Sequence, residues 1–161
     1  MQPSHATPLI APAGEGTILP VGPSTIVLRI SGGADGAPSA IEYRVAPGFA
    51  APSALHSHTR ESWTAYVVEG RIAVRFVDRT VEVAAGGLLQ VPPHCPFAWY
   101  NPSSEPARLI CLYAPGGFER YFAEARQVLS DHPGVPVKDL TPHLMPLWDK
   151  YGMVRHDELG A

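Results

Sequence analysis

The sequence predicts an all-β fold, a barrel or sandwich of short strands, followed by C-terminal helices. Short apolar segments with alternating polar residues recur along most of the chain, which is the pattern of half-buried strands. The 161 residues include 15 glycines and 18 prolines, which suit a chain with many turns. After residue 117 the apolar spacing changes from two to three and four, which indicates helices. A chain of this length fits one domain.

Three regions are expected along the chain, and the first two are an arm and a barrel. Residues 1–15 are rich in proline and alanine and are predicted to form a flexible arm. Residues 16–115 are predicted to form the barrel, in which Ile41, Tyr43 and Val45 alternate with polar residues along one strand. The other predicted strands span residues 24–31, 63–68, 71–77, 79–83, 88–91, 97–100 and 107–113.

The third region, residues 116–161, is predicted to be a helical tail. Its first helix carries one apolar face, made of Phe118, Tyr121, Phe122, Ala125 and Leu129. A second helix is predicted to have Thr141 as its cap and Pro142 in its first turn, and to end at Gly152. Pro146 opposes this helix, because an interior proline typically costs about 3 kcal/mol of helix stability.

Charge and composition argue against several classes of partner. A formal net charge of -3 and a pI near 6.1 give no basic surface for nucleic acid or anionic lipid. No apolar run approaches the length of a membrane span, and the N-terminus lacks the pattern of a signal peptide, so a cytoplasmic protein is expected. Cys95 and Cys111 are then expected to be free thiols.

The most informative segment contains His56 and His58, one residue apart. In an extended strand alternate side chains point to the same face, so both imidazoles can aim at one point. Neutral imidazole is the commonest metal ligand, and it also carries protons near neutral pH. The pair therefore indicates either a metal site or an acid–base site.

Residues 46–117 resemble a cupin domain, because they match parts of both motifs of that family. The first motif runs Gly, five residues, His-x-His, three or four residues, Glu, six residues, Gly. His56, His58 and Gly70 fit this frame. Trp63 occupies the position of the motif's glutamate.

The second cupin motif runs Gly, five residues, Pro-x-Gly, two residues, His, three residues, Asn. Gly86, Pro92 and Asn101 fit it. Phe97 occupies the position of the ligand histidine, and His94 that of the second glycine. By this resemblance two of the four metal-ligand positions are kept and two are aromatic.

The resemblance implies the cupin double-stranded β-helix, which is a jelly-roll barrel, with C-terminal helices. The tail is similar to those of quercetinase-like single-domain cupins. Proteins of this kind commonly pair through their edge strands, so a homodimer is expected. An unpaired strand edge is a liability that such pairing removes.

We expect a small-molecule pocket at the mouth of the barrel. The residues expected to face it are His56, His58, Trp63, Phe97 and Trp99. The two imidazoles are the expected catalytic groups, and the aromatic rings would bind a flat or apolar substrate by stacking. Tyr43 and Gln90 are further substrate-binding candidates. The alternative is that the aromatic side chains fill the barrel and leave no cavity.

No tightly held cofactor is expected, because two imidazoles alone bind a metal ion weakly. A divalent metal (Zn, Fe, Mn or Ni) is the alternative, held by His56 and His58 with Glu61 or His94 as third ligand. Glu61 is expected to be a solvated partner of Arg60, and His94 to face solvent in a turn.

Three functions fit these features. The first is a metal-independent acid–base isomerase, cyclase or lyase that acts on an apolar or aromatic, polyketide-like substrate. The second is a metal-dependent, quercetinase-like dioxygenase with an atypical ligand set. The third is a non-catalytic small-molecule-binding protein.

Overall fold

Two antiparallel β-sheets face each other and enclose the core in the computed structural model. It describes residues 7–32, 36–135 and 137–159, without the side chains of residues 51–53 and 137–138. The strands are β1 (Thr17–Val21), β2 (Ser24–Ile30), β3 (Ser39–Val45), β4 (Ala50–His58), β5 (Ser62–Glu69), β6 (Arg71–Arg75), β7 (Thr80–Ala84), β8 (Leu88–Val91), β9 (Phe97–Tyr100), β10 (Ala107–Ala114) and β11 (Met153–Arg155).

The order of the strands is that of a jelly roll. One sheet runs β1-β2-β3-β10-β5-β8 and the other β11-β4-β9-β6-β7, so neighbours in space are often distant in sequence. Alternate residues of each strand point between the sheets. Side chains with no solvent exposure come from both sheets, and include Ile41, Val67, Ile72, Val74 and Leu109. The expected all-β fold with C-terminal helices is confirmed.

One glycine of the first cupin motif is required by the backbone. Gly70 links β5 to β6 with φ at 71°, in the left-handed region that other residues rarely adopt. A Cβ atom here would lie 2.6 Å from the carbonyl oxygen of Pro106. Any larger residue would therefore push apart the start of β10 and the β5–β6 turn.

The C-terminal region lies across the open side of the sheets. Helix α1 spans Glu119–Asp131 and helix α2 spans Thr141–Tyr151, with short 3-10 turns at Val137–Leu140 and Asp157–Leu159. The helices contact each other through the Trp148 Nε1–H group, which donates to the Tyr121 hydroxyl at 3.2 Å. Within the described residues, no helix combines the length and apolarity that crossing a bilayer requires.

Glu119 ties the start of α1 to the barrel. Its buried carboxylate accepts hydrogen bonds from the backbone N–H of Gly117 at 2.7 Å and of Gly32 at 3.2 Å. Gly32 lies just after β2. One side chain therefore satisfies two backbone donors from segments far apart in sequence.

Two features of the tail differ from the sequence prediction. The 3-10 turn runs directly into α2, so Leu140, and not Thr141, occupies the cap position. Gly152 does end the helix, in a left-handed conformation. Beyond it the chain forms β11, which pairs with β4 and places Met153 opposite His58. The tail is thus not only helical, since it also completes one sheet.

The N-terminal arm was predicted to be flexible, and residues 1–6 of it lie outside the described part of the chain. In the described part, the Arg29 guanidinium donates hydrogen bonds to the carbonyls of Ala11, Pro12 and Glu15. These bonds fix residues 11–15 against β2.

Candidate functional site

A cavity of about 430 Å³ lies between the sheets, beneath the two helices. The alternative that aromatic side chains fill the barrel is therefore wrong. Both sheets and both helices line the cavity, and most of the lining is aromatic. The aromatic residues other than histidine are Tyr43, Phe49, Trp63, Phe97, Trp99, Tyr113, Phe118, Tyr121, Phe122 and Trp148.

Strand β4 presents both histidines to this cavity. His56 and His58 are separated by one residue, so they share a face of the strand, and their ring centroids lie 5.4 Å apart. Phe97 on β9 is the cross-strand neighbour of His56, and their rings lie 4.6 Å apart. Both imidazoles are buried among rings, with only 2% and 4% of their surface exposed.

The carboxylate of Glu61 makes a short hydrogen bond to His58. The Glu61 Oε1 atom lies 2.6 Å from His58 Nδ1, and both residues are buried. The prediction that Glu61 is solvated beside Arg60 is therefore wrong: the turn after β4 directs the carboxylate inward. A carboxylate only accepts hydrogen bonds, so Nδ1 of His58 donates in this contact and Nε2 is the ring nitrogen that stays free for a ligand.

His56 is held in its neutral form. Its Nδ1 atom is buried and has no hydrogen-bond partner among the described residues. Burial, with a smaller contribution from His58, lowers the pKa of His56 from 6.5 to about 3. At neutral pH this imidazole therefore offers hydrogen bonds to a ligand but no positive charge.

A pair of tyrosine hydroxyls faces the same cavity from the opposite sheet. The hydroxyls of Tyr43 and Tyr113 lie 3.0 Å apart. Burial raises the pKa of both phenols well above its usual value, so both stay protonated. When one hydroxyl donates to the other, the second keeps a proton that can be donated to a ligand. The Tyr113 ring lies 5.9 Å from that of His58.

Six of the seven catalytic and substrate-binding residues proposed from the sequence line the cavity. They are Tyr43, His56, His58, Trp63, Phe97 and Trp99. Gln90 is not among the lining residues: it is exposed on β8, where it pairs with Thr64. Its neighbour in sequence, Val91, is the residue of β8 that is buried, because alternate positions of a strand face opposite sides.

Sequence reasoning missed the contribution of the tail to the site. Phe118, Tyr121, Phe122, Ala125 and Leu129 were assigned to a buried helix face, and that face lines the cavity. The spacing of the apolar residues in the sequence was the signal that predicted this helix face. It gives no information on which part of the barrel the face covers. Tyr113 was placed only in a strand, and the Glu61 contact was not foreseen.

A divalent metal, which cupins commonly hold, does not fit these donors. The two further ligand positions of the family carry Trp63 and Phe97, whose rings stack 5.0 Å apart. Glu61 is bound to the Nδ1 side of His58, and His94 is exposed in a turn. Within the described residues, no cluster of three or more His, Cys, Asp or Glu side chains has the arrangement of a metal site. A catalytic metal typically needs about three protein ligands.

Comparison with known proteins supports the fold. Residues 41–113 match the family model of the cupin domain. A search of curated proteins found no significant match. Among solved structures, KdgF from Halomonas sp. is 17% identical with a TM-score of 0.61, and the match covers 71% of this chain and 99% of that one.

Two further solved structures have the same architecture. The nucleoside dehydratase Pac13, from Streptomyces, is 19% identical with a TM-score of 0.55, over 71% of this chain and 88% of that one. An RmlC-like cupin from Shewanella frigidimarina is 20% identical with a TM-score of 0.56, over 71% and 96% of the two chains. At these identities the likeness concerns the fold.

Proposed function

We propose that this chain, whose residues 41–113 match the family model of the cupin domain, is a metal-independent enzyme that moves protons on a small aromatic or apolar carbonyl compound. The reaction class is isomerisation, cyclisation or elimination. The observation that carries the proposal is the buried hydrogen bond of 2.6 Å between His58 and Glu61 in the wall of an aromatic cavity.

His58 is the proposed general base. Its Nδ1–H group is held by Glu61, so Nε2 has the free electron pair that removes a proton from carbon. Glu61 also stabilises the imidazolium that forms when Nε2 accepts this proton. General acid–base catalysis by one such group is typically worth about 10²–10⁴-fold in rate.

The Tyr43–Tyr113 pair is the proposed electrophilic group. When His58 removes a proton next to a carbonyl, the electron pair moves onto the carbonyl oxygen. A neutral phenol that donates a hydrogen bond to this oxygen stabilises the charge as it develops. Return of the proton from His58 to another carbon completes an isomerisation. Its delivery to a departing β-hydroxyl group, which leaves as water, completes an elimination.

The cavity suits a substrate with a flat apolar body. Its volume of about 430 Å³ lies in the range of small-molecule sites, and aromatic side chains dominate the lining. Trp63 and Phe97 are stacked, with ring planes 17° apart, and present a flat apolar surface. Pac13, described as a nucleoside dehydratase, is a precedent for elimination chemistry on this fold.

Deuterium exchange tests this function without knowledge of the natural substrate. Chelator-treated protein is incubated in heavy water with a panel of aryl ketones, aryl β-keto acids and aryl β-hydroxy ketones, and products are followed by mass spectrometry. We expect exchange at carbon or loss of water for at least one member. His58→Gln should lower the rate by roughly 10²-fold or more, and Glu61→Gln by at least about tenfold. His143→Gln, an exposed histidine on α2, is the matched control.

The other outcomes separate the rival functions. If the wild type binds panel members but neither exchanges nor converts them, the protein is a binding protein and the proposal fails. If activity disappears on chelation and returns with Zn, Fe, Mn or Ni, the metal-dependent alternative is correct. Equal rates for His58→Gln and His143→Gln would remove His58 from the mechanism.

A further inference from the structure

Arg126 lies at the rim of the cavity. It follows Phe122 by four residues and precedes Leu129 by three, so all three share one face of α1, and all three line the cavity. Its neighbour Ala125 is buried, whereas Arg126 itself is exposed. The guanidinium group is therefore carried on the cavity-facing side of the helix, at the boundary with solvent.

Nothing on its own helix neutralises this charge. The residues one turn away are Phe122, Ala123, Leu129 and Ser130, none of which is acidic. Arg126 takes part in none of the ion pairs found within the described residues. The carboxylate of the nearby Glu124 is bound to the ammonium group of Lys150 at 2.7 Å.

A second lysine or arginine, which could bind a negative group elsewhere, is absent from the described lining of the cavity. Among the described lining residues Arg126 is the only lysine or arginine, and burial keeps His56 neutral. A ligand with a negative group at one end would therefore bind in one orientation, with this group at the rim and its apolar body inside. A guanidinium binds a carboxylate with two parallel hydrogen bonds, which fixes orientation further.

We propose that Arg126 is a specificity residue that binds a carboxylate of the substrate at the entrance of the cavity. The substrate is then an amphipathic acid with a flat apolar body. This inference deepens the proposed function, on which it rests for the statement that the ligand is a substrate.

Two dyes with the same aromatic body test the charge preference. Anilinonaphthalene sulfonate is anionic, and N-phenylnaphthylamine lacks the charged group. We expect the wild type to bind the anionic dye more tightly than the neutral one, by fluorescence titration at low salt. Arg126→Gln should raise the Kd of the anionic dye roughly tenfold, as expected for loss of a hydrogen bond to a charged group, and change that of the neutral dye by less than about twofold. Arg120→Gln, an exposed arginine of α1 outside the cavity lining, is the control.

Several results would overturn the proposal. The proposal fails if the wild type binds both dyes with equal affinity, or if it binds neither dye. It also fails if Arg126→Gln and Arg120→Gln lose the same affinity for the anionic dye. Because the dyes are not converted, a negative result here rejects the role of Arg126 and leaves the exchange assay for His58 to be judged separately. If the anionic dye binds tightly through Arg126 but the exchange assay shows no activity, only the proposed chemistry is rejected.

Discussion

The contact between His58 and Glu61 is the single interaction on which the proposed chemistry depends. It gives the base a fixed tautomer and a buried counter-charge. The amide oxygen of Glu61→Gln can still accept the Nδ1–H bond but carries no charge, and a hydrogen bond to a charged group is typically worth more, about 1.5–3 kcal/mol against about 1 kcal/mol. The exchange assay on Glu61→Gln therefore needs a parallel measurement of unfolding, so that a lower rate is corrected for the folded fraction.

His56 predicts a loss of stability in acid. Its pKa is about 3 in the folded protein and 6.5 ordinarily, so below 6.5 the unfolded chain binds a proton that the folded chain does not. The free energy of unfolding should therefore fall by about 1.4 kcal/mol per pH unit as the pH drops from about 6.5 toward 3. His56→Gln removes this contribution. Urea titrations between about pH 4 and 8 should show a shallower pH dependence for the variant, and parallel curves would contradict the buried neutral histidine.

The histidine pair could be predicted from sequence because its information is local. Alternation in a strand places His56 and His58 on one face whatever the rest of the fold does. The Glu61 contact could not be predicted in this way, since it depends on the conformation of the turn between β4 and β5. The same holds for Tyr113, whose partner Tyr43 is 70 residues away in sequence.

At the scale of elements, α1 is held over the cavity by the buried carboxylate of Glu119. Glu119→Gln replaces one acceptor oxygen by an amide that cannot accept, so one of the two backbone N–H groups loses its partner. We expect a loss of about 1–3 kcal/mol in the free energy of unfolding and faster hydrogen exchange at the start of α1. Glu105→Gln, at an exposed position, is the control. Unchanged exchange in α1 would show that Glu119 does not hold the helix.

Pro146 in α2 predicts a variant that is more stable than the natural sequence. It is exposed and lies inside the helix, where it removes a backbone hydrogen bond. Pro146→Ala restores the N–H donor, and the gain is partly offset by the greater freedom of the unfolded chain. The free energy of unfolding should rise by about 1–2 kcal/mol. A lower thermal midpoint for the variant would show that the proline supports a required bend.

Elements with a clear period were predicted well, and elements that depend on tertiary pairing were not. The face of α1 and the strands β8 and β9 follow from local pattern. Strand β11 has only three residues and forms because β4 offers a free edge beside it. No local pattern identifies a strand of that length.

For the whole molecule, we propose a homodimer that forms through the outer face of the larger sheet. Ile110, Tyr66 and Leu88 lie side by side across β10, β5 and β8, and Leu88 is 68% exposed on the edge strand. Apolar groups in a row at a sheet edge favour burial against a second copy. Light scattering should give the mass of a dimer for the wild type and of a monomer for Leu88→Lys. Val77→Lys, an exposed apolar position outside this row, is the control. A monomeric wild type would reject the dimer.

The most direct test of a metal-independent base is the protonation state of the His58 ring nitrogens. Protein labelled with nitrogen-15 in histidine is freed of metal and studied by long-range proton–nitrogen NMR at about pH 8, where imidazoles are ordinarily neutral. The account predicts a proton on Nδ1 of His58 and none on Nε2, a loss of this pattern in Glu61→Ala, which has no side-chain acceptor, and no change with one equivalent of Zn²⁺. A proton on Nε2, or a shift of both His56 and His58 on addition of Zn²⁺, would contradict it.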